Sequence, residues 1–177
     1  MTISSRSDGV SSTTPSPNDI PAKDTIDEQR VSALWQFALS LYSLPEVSST
    51  ALTLQDEAGI DVPELLWLCW LEHNRESPRS LDPLQDIREW QQQITVHLRE
   101  LRRFLKPAAN AQPRLLPLRQ IIKDAELEAE KETLHRLALI PWQKEVPGDS
   151  LWTQWQGTLD EKYKKMINTI RETALSL

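Results

Sequence analysis

Apolar residues recur at three- and four-residue spacing along most of the chain, and that period predicts helix after helix. Val31, Leu34, Trp35, Ala38, Leu41 and Tyr42 lay one stripe along a helix expected over residues 25–42. A second helix is expected over 45–58, with Pro45 in its first turn, Val47, Ala51, Leu52 and Leu54 inward, and Gly59 as its stop. The third opens on Asp61 as N-cap, with Pro63 in the first turn and Glu64 completing a capping box. Leu65 to Leu71 then follow with no polar gap. An unbroken apolar run covers every direction of a helix with about 3.6 residues per turn, so this helix is expected to be surrounded on all sides.

"SPRSLDP" reads as a linker into a fourth helix over 82–106, whose inner face is Leu84, Ile87, Trp90, Ile94, His97, Leu98, Leu101, Phe104 and Leu105. A fifth helix over 118–139 turns Ile121, Ile122, Ala125, Ala129, Leu134, Leu137 and Ala138 inward. A sixth follows from Ser150, with Trp152, Trp155, Leu159, Tyr163, Met166, Ile170 and Ala174 on one face. Gly157 weakens it by about 1 kcal/mol relative to alanine, which predicts a bend or a later start. Nothing alternates with period two for long. The predicted fold is all-α, an irregular bundle of about six helices. The second and third helices, joined by a short loop, should pack antiparallel, and the first, second and fourth should enclose the third.

Residues 1–27 are rich in Ser, Thr, Pro and Asp, bury too little to offset ordering entropy, and are expected to form a disordered tail. Residues 28–177 are expected to form a single helical domain, with a core part over 28–75 and longer helices over 80–177.

Within that first part, Leu34-Trp35 with Phe37, Tyr42 with Pro45, Leu54-Gln55-Asp56, Gly59 and Asp61-Val62 form a spaced pattern. It resembles the core of a family of uncharacterised proteobacterial proteins over residues 34–71. Pro63-Glu64 depart from the family's Asn-Leu, and the C-terminal half shows no such pattern. The resemblance implies no activity, ligand or partner.

Composition narrows the classes further. A formal charge of −6 and a pI near 5.1 disfavour nucleic acid as a partner, because the phosphate backbone rewards a basic face. The apolar run of the third helix is far short of the about 20 residues that cross a bilayer, so no membrane contact is expected. The single cysteine, Cys69, has no disulfide partner, and its apolar surroundings predict an inert thiol. The N-terminus lacks the apolar core of a signal peptide. Together these lead to the expectation of a cytoplasmic protein.

Gln55 and Asp56 end the second helix. They read first as caps for neighbouring backbone groups and second as a polar spot beside an apolar groove. Glu132 and His135 have a di-iron-like spacing, but neither His73 nor His97 supplies the second pair that such a site needs, so a surface pair is expected. His97 reads as a core-edge histidine. Arg99, Arg102, Arg103, Lys106, Arg114, Arg119 and Lys123 form a basic stretch, followed by carboxylates from Asp124 to Glu132 that read as solvated. The sharper reading of this pair of runs is a dipolar surface that orients a charged partner.

No catalytic constellation, metal-ligand set or cofactor motif is found in the sequence. The candidate binding residues are Trp35, Tyr42, Gln55, Asp56, Asp61, Arg102 and Arg103. The leading function is a non-catalytic protein-interaction module that receives a partner protein or a second copy of itself, a reading resting on seven tryptophans. The alternative is a small-molecule-binding or catalytic helical protein with a polar site near Gln55 and Asp56.

Overall fold

The computed structural model describes residues 23–145 and 148–177. Among them α1 (Lys23–Tyr42) begins inside the stretch expected to be tail; the rest of that expectation, residues 1–22, lies outside the described residues. Leu34, Ala38 and Leu41 are buried along its stripe, with Val31, Trp35 and Tyr42 half-buried beside them. α2 (Pro45–Ala58) ends at Gly59, whose φ of 65° is left-handed and suits a residue without Cβ. The amides of Gly59 and Ile60 both return to the Leu54 carbonyl.

α3 (Val62–His73) starts where expected, its Glu64 N–H donating to Asp61 Oδ1 at 2.8 Å. Every residue from Leu65 to Leu71 is buried, Trp67 to 1% exposure. The enclosing neighbours are α1, α6 and α8: the first predicted helix packs on α3 as expected, but the main cover otherwise comes from the predicted fifth and sixth helices rather than from the second and fourth. α2 leans more on α8 than on α3, so the expected antiparallel pairing of α2 and α3 is only a glancing contact. A helix apolar in every direction does not need its chain neighbour, and α8 offers the stripe of Ile167, Ile170 and Ala174 to both.

The predicted fourth helix is a composite rod. α4 (Leu84–Trp90) passes through one π turn over Gln91–Thr95 into α5 (Val96–Ala111). It runs past Lys106 and through Pro107, which has no N–H to give to the carbonyl one turn before it, so the rod continues at the loss of that ladder bond. α6 (Leu116–Ala138) returns alongside it. Gly157, at φ 53°, splits the predicted sixth helix into α7 (Asp149–Gln156) and α8 (Glu161–Leu175). The two linkers hold a small sheet absent from the sequence reading. β1 (Glu76–Pro78) pairs antiparallel with β2 (Trp142–Lys144), with Glu76 opposite Lys144 and Pro78 opposite Trp142. The architecture is an all-α irregular bundle with one two-stranded clip.

Several residues assigned inward face water: Leu52, Ile94, His97, Leu101, Phe104, Ile121 and Ala125. Most of them lie on α5 and α6, and the cause is architectural. α6 is the one α-helix on which α5 packs extensively, which leaves one side of that hairpin uncovered.

Beside Glu126 on α6, three carboxylates at and beyond the ends of α3 are buried, each met by at least one cation. Glu72 takes two bonds of 2.6 Å from Arg171. Glu76 pairs with Arg30 at 2.8 Å and Lys144 at 3.0 Å. The Arg30 guanidinium lies between the rings of Trp70 and Trp142, at 4.5 and 4.2 Å, where burial lowers its pKa although Glu76 opposes the change. Glu64 is the third.

Trp67→Ala should lower unfolding free energy by about 3–5 kcal/mol in a denaturant melt. Cys69, buried and with its thiol pKa pushed up by desolvation, should react with a thiol reagent only once denaturant is added.

Candidate functional site

Six of the seven residues singled out in the sequence line two adjoining clefts, and Gln55 borders both. The first cleft, of about 400 Å³, lies between α1, α2, the start of α3 and α6. Trp35, Tyr42, Gln55 and Arg102 line it, with Leu39, Leu52, Leu66 and Leu127 as apolar walls. The second, of about 480 Å³, lies between the α2–α3 turn, the α4–α5 rod and α7. There Gln55, Asp61 and Arg103 meet Glu64, Arg88, Gln91 and Trp155. Asp56, the seventh, is bonded to Arg103, and both side chains are about half exposed. It caps no helix, contrary to the first reading, because the α3 amides are served by Asp61.

The basic and acidic runs interlock across the α5–α6 hairpin. Arg99 donates to Glu126 at 3.1 Å and to Glu130 at 2.9 Å, and Arg102 bonds both oxygens of Glu126. Glu126 is buried, so the expectation of solvated carboxylates along this helix fails there: the helix turns that side chain toward α5. Desolvation raises the pKa of Glu126, but Arg102 and Arg99 outweigh it and the net shift is downward. At Glu130 desolvation prevails over Arg99 and the pKa is raised. Tyr42, half-buried and facing Glu130, is raised as well, by burial first. Arg99, Arg102 and Arg103 are therefore occupied by this protein's own carboxylates, which removes the core of the basic patch and of the dipolar surface.

The second cleft contains residues that the sequence reading missed. Glu64 is 1% exposed, and its carboxylate does not reach back to complete a capping box. It accepts two bonds from Arg88, at 2.9 and 2.7 Å, and one from the Trp155 indole N–H at 2.8 Å. A single carboxylate thus ties α3 to α4 and α7. A charged residue opening an otherwise apolar helix was the available signal; the spacing that suggests a capping box concealed it. Beside it, Asp61 has its pKa pushed up to about 6, by desolvation first and the Glu64 charge second. Gln91, the first residue of the π turn, is 6% exposed. Its amide is near enough to Asp61 to oppose that rise, yet its Nε2 closes no hydrogen bond of ordinary geometry among the described residues. Nothing in the local sequence distinguishes Gln91 from Gln92 and Gln93.

Residues 33–137 match the family described as protein of unknown function (DUF2390). The chain belongs to that family. The matched span reaches well beyond the 34–71 pattern, so the absence of a recognisable pattern in the later helices is corrected as far as residue 137. It contains every residue lining the first cleft and all of the second except Trp155. Comparisons with curated proteins and with solved structures find no match.

Of the seven tryptophans, Trp35 and Trp155 line the two clefts. Trp67, Trp70 and Trp152 are buried, and the other four are half-buried. Several carry a cation on the ring, Arg136 over Trp90 at 4.3 Å among them. Glu132 and His135 stand 3.8 Å apart on the surface, as expected. His97 is exposed, its Nδ1 against the Gln92 carbonyl at 2.9 Å, and is not a core-edge residue. Among the described residues no cluster of three or more His, Cys, Asp or Glu is placed to hold a metal ion, and no helix is long and apolar enough to cross a membrane.

The raised pKa of Asp61 makes a prediction with a definite sign. A carboxyl moved from 3.8 to about 6 on folding stabilises the fold when protonated. That contribution is complete below the unfolded value and is lost as pH rises through about 6. Asn keeps the cap without the charge. Melting temperatures compared across that window should show the wild type losing ground to Asp61→Asn as pH rises; a pH-independent difference would refute the assignment.

Proposed function

We propose that this chain is a non-catalytic protein-interaction module, and that its docking surface is the uncovered side of the α5–α6 hairpin, taken by the same side of a second copy. The single observation that supports this is the run of exposed large apolar side chains there. Phe104 is 79% exposed, Ile121 65%, and Ile94, Leu101, Leu116 and Leu118 lie between 38% and 49%. Isolated apolar residues on a surface need no explanation, but a contiguous set marks an interaction site. The tryptophans that first suggested an interface do not support it, being committed to the core and to cations.

Spacing and size argue for the occupant. On the rod, Ile94, His97, Leu101, Phe104 and Ala108 follow a three–four alternation, and Leu118, Ile121 and Ala125 do so on α6. That is the seam of a coiled coil, which another helix fills. Arg99, Arg102 and Arg103 bond residues on the opposite side, so helical geometry directs the seam outward. α5 is 16 residues long, and the face is about 24 Å long and about 20 Å across two helices, or roughly 500 Å² in projection. Its corrugated accessible surface is larger, of the order of the about 800 Å² per partner in a standard interface. Two hairpins related by a two-fold axis would form a four-helix bundle, with each copy presenting the same patch.

Sedimentation of the full chain over a concentration series should show a dimer. Phe104→Glu with Ile121→Glu should give a monomer whose stability stays within about 0.5 kcal/mol of wild type, as for surface changes in general. A wild type monomeric throughout, or a double variant as dimeric as the wild type, would overturn the proposal.

A further inference from the structure

The cleft between α1, α2, the start of α3 and α6 combines apolar walls with one accessible, partly satisfied carboxylate. Leu39 of α1, Leu52 of α2 and Leu127 of α6 are exposed, yet all three converge on a single concavity whose buried lining includes Ala38, Pro63 and Leu66. Scattered apolar side chains on a surface need no explanation, whereas a set sharing one concave surface marks a binding site. The volume of about 400 Å³ falls within the range of small-molecule pockets.

The charged lining selects the occupant. Arg102, Lys123, Asp124, Glu126 and Glu130 border the cleft. Arg102 and Glu126 bond one another, and Asp124 accepts from Gln120 at 2.7 Å. Lys123 and Glu130 are left, about 10 Å apart along α6. Lys123 is exposed, and an ion pair formed in open water contributes little. Glu130 is more enclosed, with its side chain 31% exposed. Arg99 engages its Oε1 at 2.9 Å, while Oε2 accepts no bond among the described residues and keeps contact with solvent. Desolvation raises the Glu130 pKa in spite of Arg99, so the fold leaves this charge under-compensated. A cation at Oε2 supplies what is missing, in surroundings where opposite charges attract more strongly than in water. Two aromatic rings stand beside it. Tyr42 lines the cleft and faces Glu130, and Trp35 already carries the Lys131 ammonium at 5.4 Å from its ring. Such rings attract cations through their faces.

We infer that this cleft binds a small organic amine, its ammonium donating to Glu130 Oε2 and its apolar body lying among Leu39, Leu52, Leu66 and Leu127. This goes beyond the dimer reading and is independent of it. At about 100° per residue, Leu127, Glu130 and Leu134 lie on the opposite side of α6 from Leu118, Ile121 and Ala125.

The test uses 2-phenylethylamine, 2-phenylethanol and 3-phenylpropionate, which share one apolar body and end in an ammonium, a hydroxyl and a carboxylate. Each is titrated at neutral pH into the full ¹⁵N-labelled chain. The readout is the Trp35 indole N–H, assigned by its disappearance in Trp35→Phe. The amine should shift it saturably and bind about tenfold more tightly than the alcohol, the gain from one charge-assisted hydrogen bond. The acid should bind more weakly than either. Glu130→Gln keeps an acceptor for Arg99 and removes the charge, so the amine should weaken about tenfold there while the alcohol is unaffected. Leu52→Lys, at an exposed wall position, should abolish amine binding at an unchanged melting temperature, and decides the matter should Glu130→Gln not fold. Failure of the amine to shift the Trp35 signal saturably would overturn the inference. So would equal binding of the alcohol, which would mark an apolar slot blind to charge, or tighter binding of the acid, which would move the anchor to Lys123. Wild-type amine affinity in either folded variant would overturn it as well.

Discussion

A helix that is apolar around its whole circumference cannot lie on a surface, and the rest of this structure follows from enclosing one. α3 needs cover in every direction, and α1, α6 and α8 supply it. The first of these precedes it in the chain and the other two follow at long range. The core is therefore not built from consecutive hairpins but from segments on either side of the sequence folding around one central rod. Its apolar run is worth roughly 1.5–3 kcal/mol for each large side chain removed from water, which outweighs any local preference of the loops that must accommodate it.

Both ends of that rod carry a buried carboxylate, and these set the geometry that burial alone leaves free. Hydrophobic cover is non-directional. Glu64 with Arg88 and Trp155, and Glu72 with Arg171, have fixed bonding geometry and act as alignment points for α4, α7 and α8. Such pairs contribute little net stability, because desolvation consumes the Coulombic gain, but leaving either partner unpaired is strongly destabilising. The same logic recurs between Arg30, Glu76 and the two tryptophan rings beside the β1–β2 clip.

The α5–α6 hairpin has a different role. Held to the bundle through the lower half of α6, the π turn and a few ion pairs, it places one side against the clefts and leaves the other open. In the sequence its charges look like a basic block followed by an acidic one; in the fold Arg99 and Arg102 of the first block pair with Glu126 and Glu130 of the second across the two helices. What the hairpin presents outward is apolar, and what it presents inward is a polar cleft.

The helical period, the Pro45 and Gly59 limits of α2, the Asp61 cap and the burial of Leu65–Leu71 were all legible in the sequence, because each depends on residues within a turn or two of one another. The same locality made Glu132 and His135 a readable surface pair. What the sequence left open was the partner of each helix. An amphipathic stripe states that a face wants cover but not whether cover arrives, so Leu101, Phe104 and Ile121 were assigned inward and are exposed. Glu126 was assigned to solvent and is buried under two arginines. The pairing of β1 with β2, residues 76–78 with 142–144, links residues whose own sequence carries no strand signal. Gln55, Asp61 and Arg103 could be named from their neighbours, but their meeting with Glu64, Arg88, Gln91 and Trp155 could not. Those contacts span up to 91 residues and exist only once α3 has been enclosed. Local sequence determined the elements because their physics is local; tertiary structure alone decided the clefts, since they form from what is left between elements after the core is filled.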